Sequence, residues 1–455
     1  MAVQTMRYLD DEIIKPYREN IIGINCTIQT YNGEKPLIYA DWAASGRLYR
    51  SIEEKICNEV GPFYGNTHSS DSYIGRYINS TYEFARKTLL QECKALGEYE
   101  LLTGGTGATF ALHRFQEILS IDKMKKVVVF ITNCEHNTNY LTWIVLGAEV
   151  VILKTDEVGA VDLAHLEKEL ENYLAYDLII GSFSACSNVT GITTNYVEAT
   201  KIIKQYGGIT VVDYSAIAPH MPLDFSSGVV DAAYWGVHKF LGGPGGPGVL
   251  LFKPHLYKRK VPTIPAGGTV LWTDPKQRAV FFDEIGKRED PGTPAILQTV
   301  KAAMAHQLIS EMGLELMYSR ESYFVKYLIN ELASNPNIYV FHANNMNRMP
   351  IVSFAINGLA YAVVAKALSD FYAIQSRAGC SCAGVYAHDL LDIDSHRSNE
   401  IYSQIRIGNY ENKPGWTRIS LHATMKSEEI KYIAVAINEI ASNKDYFEKH
   451  YVNKV

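Results

Sequence analysis

The sequence predicts an α/β protein, with a large domain built on a mostly parallel sheet and a smaller α+β domain towards the C-terminus. Between about residues 97 and 252, short β-branched runs alternate with helix-like stretches, the order that produces strands joined by crossover helices. The runs are almost continuously apolar, as strands covered on both faces are. Beyond about residue 298 the texture changes to long helical stretches and shorter strands. At 455 residues the chain also exceeds one ordinary hydrophobic core, so two packed domains are expected.

In chain order, the strand-like runs are 127–131, 150–153, 178–180, 209–212 and 249–252. Between two of them, 196–206 reads as a helix: Asn195 is its expected cap, Glu198 a capping-box partner, and Gly207-Gly208 its end. Two long helices are expected near 300–312 and 322–333, a strand at 350–356, and a last helix over 427–441. The expected division is an N-terminal segment, 1–36, packing with the small domain; a large domain, 37–298; and the small domain, 299–455.

Composition excludes several function classes. Hydrophobic residues make up 47% and charged residues 20%, which is globular, and a net charge of −6 leaves no basic footprint for nucleic acid or an anionic membrane. No apolar run approaches the ~20 residues needed to span a bilayer, and residues 1–20 mix charges with short apolar patches, unlike a signal peptide. Seven scattered cysteines, an odd number, do not form a disulfide framework. A reducing cytoplasm is the expected setting, and no metal-ligand set is expected.

Four local patterns carry chemistry. Gly236-Val237-His238-Lys239 follows the apolar run 232–235 and enters a loop, ending at Gly248, with five glycines and two prolines. A Schiff-base lysine must lose its proton, and a sheltered pocket lowers its pKa for that task. The glycines would let backbone approach a planar cofactor closely. Alone, Lys239 is more simply a solvated loop residue. The run 209–212 ends in Asp213, 26 residues before Lys239. An aspartate there can keep a cofactor's pyridine nitrogen protonated, at the strand end where ligand sites open; it could also merely begin a turn. Leu102-Thr103-Gly104-Gly105-Thr106-Gly107-Ala108-Thr109 feeds the helix-like stretch 110–119. Such a turn offers unpaired N–H groups and a positive dipole end to a phosphate, with Thr109 adding a hydroxyl, or it is a plain turn. It is not a GxxxxGK[ST] loop. Finally, Cys134-Glu135-His136-Asn137-Thr138-Asn139 follows the run 127–131, and an imidazole there could lie against a cofactor ring and exchange protons.

Taken in order, these pieces resemble the class V aminotransferase superfamily of fold type I, and within it the cysteine desulfurase and selenocysteine lyase branch, from Tyr39-Ala40-Asp41 through Arg418. The resemblance implies a seven-stranded, mostly parallel sheet and pyridoxal 5'-phosphate bound as a Schiff base on Lys239. It implies that His238 and the turn Gly107-Ala108-Thr109 contact the phosphate, that Asp213 pairs with the pyridinium, and that His136 lies over the ring. Ser187-Asn188-Val189-Thr190-Gly191 resembles a segment whose Asn contacts the phenolic oxygen. Pro291-Gly292-Thr293-Pro294 resembles one whose Thr reaches the partner subunit's phosphate, which implies a homodimer.

Arg377-Ala378-Gly379-Cys380-Ser381-Cys382-Ala383 resembles the RxGxxCA loop of desulfurases and places Cys382 as the sulfur-accepting nucleophile. Arg377 would bind substrate and help keep the thiol ionised; Cys380 competes or assists. Trp416-Thr417-Arg418-Ile419-Ser420-Leu421 resembles the segment whose arginine, here Arg418, holds the substrate carboxylate. Three positions depart from the pattern: Ala216 stands for a Gln on the phenolic oxygen, Gly236 for a phosphate-binding Ser, and Asn137 for a second His. With Tyr64-Gly65-Asn66-Thr67-His68-Ser69-Ser70, they mark a less typical subgroup.

The implied reaction converts L-cysteine (or selenocysteine) to L-alanine with a persulfide on Cys382, passed on to a sulfur-acceptor protein. Two alternatives stay open. One is amino transfer, epimerisation or C–S elimination on a small amino acid. The other is a non-catalytic binding protein on the same fold.

Overall fold

The computed structural model describes residues 8–67, 69–105, 107–121, 124, 126–156 and 158–452. After two short helical turns, Asp11–Ile14 and Lys15–Arg18, come a hairpin, β1 (Thr27–Thr30) and β2 (Gly33–Pro36), and a short strand β3 (Ile38–Tyr39). Then comes a seven-stranded sheet of β4 (Glu100–Gly104), β5 (Val127–Thr132), β6 (Glu149–Leu153), β7 (Leu178–Ser184), β8 (Ile209–Asp213), β9 (Ala232–Gly236) and β10 (Gly248–Phe252), in the spatial order β4-β10-β9-β8-β7-β5-β6.

The apolar runs are apolar throughout because both faces are covered. On β5, Val127, Val129 and Ile131 pack into one core with Leu112, Phe115 and Trp143. Val128 and Phe130 pack into another, with Leu166, Leu170 and Ile203 on the far face. Each such side chain contributes about 1.5–3 kcal/mol by leaving water, so both sets of flanking helices are needed.

From β6 to β9 neighbouring strands are parallel, but β10 runs antiparallel to β9 and to β4. Only the glycine-rich loop separates β9 from β10, and a parallel return needs a crossover of a dozen or more residues. The helix Tyr196–Gln205 forms, but Asn195 does not cap it: its backbone is left-handed (φ 56°), with no side-chain cap hydrogen bond. A capping side chain works from an extended backbone, and Asn195 instead uses its tolerance of the left-handed turn. Gly207, at φ 74°, ends the helix as expected.

A small exposed hairpin, β11 (Val270–Thr273) and β12 (Ala279–Phe281), leads to the helices Ile296–Met312 and Leu314–Ala333. The remaining strands are β13 (Ile338–Val340), β14 (Ile351–Ile356), β15 (Ile374–Gln375), β16 (Arg377–Gly379) and β17 (Trp416–Ser420). Four of them make a sheet in the order β13-β14-β17-β16. The N-terminal hairpin packs on this C-terminal region, with Tyr31 N–H donating to Asp370 O at 2.8 Å. Attachment continues past residue 37: β3 pairs with β15, and Asp41 bridges to Ser420. Among the described residues, no helix is long and apolar enough to cross a membrane.

Candidate active site

The carboxyl ends of the sheet strands converge on a cavity of about 230 Å³, the expected place for a ligand in such a sheet. Asp213 ends β8 and Ser184 ends β7. Lys239 closes the short helical turn that follows β9, and His136 caps the helix Asn137–Val145 after β5. Ala108, Thr109, His136, Asn188, Asp213, His238 and Lys239 all line the cavity, although the sequence spreads them over more than a hundred residues.

Burial lowers the Lys239 pKa from its usual value, with Asp213 opposing the shift and Arg418 adding to it. A depressed pKa is what an amine needs to act as a nucleophile. Asp213 is only 8% exposed and accepts the Ser215 N–H at 2.8 Å on Oδ1. Beside it, burial above all, then the Asp213 and Glu135 charges, push the Tyr234 pKa well up, so its phenol keeps its proton. Burial also lowers both imidazoles: His136 falls below its ordinary value, and His238, next to Lys239, is lowered to about 4. Both rings are therefore neutral at pH 7. His136 Nδ1 accepts the Thr138 N–H at 3.2 Å, which leaves the proton on Nε2.

His136 is held by a residue whose role the sequence reading missed. Glu135, 3% exposed, accepts from Thr132 Oγ1 (2.7 Å) and Ser184 N (2.8 Å) on Oε1, and from Asn139 Nδ2 (2.8 Å) and Ser184 Oγ (2.5 Å) on Oε2. The carboxylate ties the end of β7 to the loop that carries His136. The sequence signal was present as the Glu-His pair, but only the fold supplies these donors.

The glycine-rich turn is built for close approach. Gly107, at φ 97°, precedes the helix Ala108–Leu119, and a side chain there would meet the His238 ring at 3.3 Å. Gly236 has the same neighbour: a Cβ would lie 2.7 Å from His238. The imidazole fills the space that a serine at this position would take. Thr106 and His68 lie outside the described residues.

Two buried oxygens lining the cavity, Asn188 Oδ1 and Ser215 Oγ, have no hydrogen-bond partner among the described residues. Buried polar atoms are rarely left so. With the helix N-terminus at one end and Asp213 at the other, they fit an aromatic ligand that carries a phosphate, an oxygen and a basic ring nitrogen. Ala216 also lines the cavity and offers no polar atom.

The remaining predicted residues lie outside the cavity lining, several of them tied to it through Asn188. Asn188 Nδ2 donates to Ser381 O (2.8 Å), and Asn137 N donates to Cys382 O (2.7 Å). Asn137, which departs from the expected second His, thus anchors the cysteine loop. Ser381 and Cys382 have φ of 51° and 58°, uncommon for residues with side chains. Cys382 is exposed and does not line the cavity, whereas Cys380 is half-buried against Cys134 and Trp416; all seven cysteines are free. Arg418, 2% exposed, donates to Asn188 O (2.8 Å) and to Asp41 Oδ1 (3.1 Å). Arg377 reaches the other oxygen of Asp41 at 3.7 Å. Thr293 is exposed, with its hydroxyl 3.3 Å from Asn66, outside this chain's cavity.

Comparison with known proteins agrees with this geometry. The family model for aminotransferase class-V matches residues 38–433. The chain is similar to a probable cysteine desulfurase from Aeropyrum pernix, 28% identical over 79% of this chain and 88% of that protein. A probable cysteine desulfurase from Streptomyces coelicolor is 25% identical over 78% and 85%. Among solved structures, an apo cysteine desulfurase from Thermococcus onnurineus superposes with a TM-score of 0.75 at 22% identity, covering 90% of this chain and 95% of that one. The cysteine desulfurase CsdA from Escherichia coli gives 0.74 at 19%, covering 94% and 98%. Class-V enzymes work with pyridoxal 5'-phosphate, whose phosphate, phenolic oxygen and pyridine nitrogen match the groups left open in the cavity. The chain belongs to the aminotransferase class-V family.

Proposed function

We propose that this protein removes sulfur, or selenium, from L-cysteine or selenocysteine, leaving L-alanine and a persulfide on Cys382. The observation that carries the reading is the tether between cavity and cysteine loop, in which Asn188 contributes an oxygen to the cavity and a hydrogen bond to Ser381. When bound, pyridoxal 5'-phosphate supplies an electron sink that labilises bonds around the substrate's α-carbon.

The chain's own groups do the rest. Lys239 would hold the cofactor covalently through its amine, and Asp213 would keep the ring nitrogen protonated. His238, Gly107, Ala108 and Thr109 would receive the phosphate. His136 would lie against the ring and could exchange a proton at Nε2. Arg418 and Arg377 orient the substrate carboxylate. Cys382 Sγ, as thiolate, attacks the substrate's sulfur: an S–S bond forms, the C–S bond breaks, and the β-carbon takes a proton to complete alanine. The exposed position of Cys382 leaves the persulfide open to an acceptor protein. Thr293, exposed and remote from its own cavity, serves the partner subunit's phosphate in a homodimer, and the cytoplasm is the proposed setting.

Incubation with cysteine and a reductant tests the proposal: sulfide and alanine should form in equal amounts, and Cys382→Ala should remove the sulfide. A second reading, amino transfer, epimerisation or C–S elimination with the cysteines as bystanders, is favoured by the place of Cys382 outside the cavity lining. Pyruvate, or a product that needs a keto acid, would support it. A binding protein without catalysis would be colourless with the cofactor and unlabelled by borohydride.

A further inference from the structure

One row of registered residues crosses the large sheet: Leu102 on β4, Leu250 on β10, Tyr234 on β9, Asp213 on β8 and Ser184 on β7. Residues directly opposite each other on neighbouring strands share a face, and the last three line the cavity. Tyr234, fully buried, therefore has an apolar neighbour in this row on one side and a carboxylate on the other. Among the described residues, Asp213 is the side chain with which its phenol hydrogen-bonds. The phenol keeps its proton, so Tyr234 donates and Asp213 accepts.

The other groups around Asp213 do not do the same work. Ser215 N–H reaches Oδ1 at 2.8 Å, a backbone donor. Lys239 interacts with the carboxylate, but its amine is committed to the cofactor in the reading above. His136 also faces Asp213, and its ring is neutral. Glu135, the second carboxyl near Tyr234, is occupied by donors of its own, Ser184 N and Oγ among them. Tyr234 is thus the side-chain donor left to Asp213. A proton shared between a ring nitrogen and a carboxylate settles on the stronger base, and a hydrogen bond donated to a carboxylate favours its charged form.

We infer that Tyr234 is a positioning residue which, by donating to Asp213, keeps the shared proton on the cofactor's ring nitrogen and off the carboxylate. The inference rests on the reading of Asp213 as the ring nitrogen's partner. The cationic ring is the better electron sink, so the phenol acts on the chemistry through Asp213. Without it, a buried carboxylate held by a backbone N–H is the stronger base and draws the proton away from the ring.

The test is nitrogen NMR of the protein loaded with pyridoxal 5'-phosphate isotopically labelled at its ring nitrogen, as wild type and as Tyr234→Phe. The resonance reports the ratio of protonated to neutral ring, with the free cofactor in alkaline solution as the neutral limit. The wild type should lie at the protonated end. Tyr234→Phe should lower the ratio about tenfold, because a hydrogen bond to a charged acceptor is roughly twice as strong as one to a neutral acceptor. Phenylalanine keeps the ring that packs with Leu112 and Phe115, so the variant should fold, and a role in packing alone would leave the resonance unmoved. A wild-type resonance in Tyr234→Phe overturns the inference and leaves Asp213 as the ring's partner. A wild type already at the neutral limit removes that partner, and the inference with it.

Discussion

Replacing Glu135 by Gln should destabilise the protein by about 1–3 kcal/mol, the cost of one stranded buried donor. The carboxylate accepts four hydrogen bonds of 2.8 Å or shorter, and Thr132 N is a longer fifth donor to Oε1 at 3.4 Å. Two of the four closer donors, the hydroxyls of Thr132 and Ser184, can rotate and accept instead. The other two cannot: Ser184 N is backbone, and Asn139 is fixed in orientation because its Oδ1 already receives Trp143 Nε1 at 3.0 Å. Ser184 N meets Oε1 and Asn139 Nδ2 meets Oε2. A glutamine has one oxygen and must turn its NH2 towards one of these N–H donors. Glu135→Ala strands both, for about 2–6 kcal/mol, before any cavity cost. Urea unfolding followed by circular dichroism measures the difference, provided the slope is unchanged. Cofactor affinity should fall in the same order, because Glu135 fixes the loop that carries His136. A Gln variant as stable as wild type, or an Ala variant no worse than the Gln, would refute the clamp.

Removing the buried amine should stabilise the apoprotein. The Lys239 pKa is lowered on folding, so its contribution is fully favourable only above the unfolded value and is lost as pH falls through the folded one. Lys239→Met apoprotein should therefore melt higher than wild type at pH 7, with the gap closing towards pH 10; a constant gap in thermal melts would contradict this. At Cys382, with φ of 58°, Gly should be more stable than Ala by about 1 kcal/mol, while both variants lose sulfide release. Equal stabilities would show that the loop relaxes. Gly236→Ser should displace His238, whose ring would lie 2.7 Å from the new Cβ, and raise the cofactor Kd about tenfold, or ~1.4 kcal/mol. Unchanged retention on dialysis would show that the imidazole has room to move.

Strands covered on both faces were legible because their burial demands apolar residues at every position, as on β5. Orientation was less so: β10 has the same composition as its parallel neighbours, and its direction follows from the short connection before it. The helix at residue 196 was legible through Gly207, but its cap was not, since Asn serves equally as a capping acceptor and as a left-handed turn residue. In the site, residues next to strand ends could be found from the strands themselves, which is why Asp213, His136 and Lys239 border the same cavity. The clamp on Glu135 and the pairing of Arg377 with Arg418 through Asp41 depend on register and on an N-terminal segment far away in sequence. No local pattern encodes those contacts. Asn137 looked like a lost histidine and proves to anchor the Cys382 loop through its backbone.

The sharpest test is to reduce the cofactor-treated protein with borohydride and map the modified peptide by mass spectrometry. A pyridoxyl group on Lys239, absent from Lys239→Ala, is the predicted result. An unlabelled chain, or a label on another lysine, would contradict it.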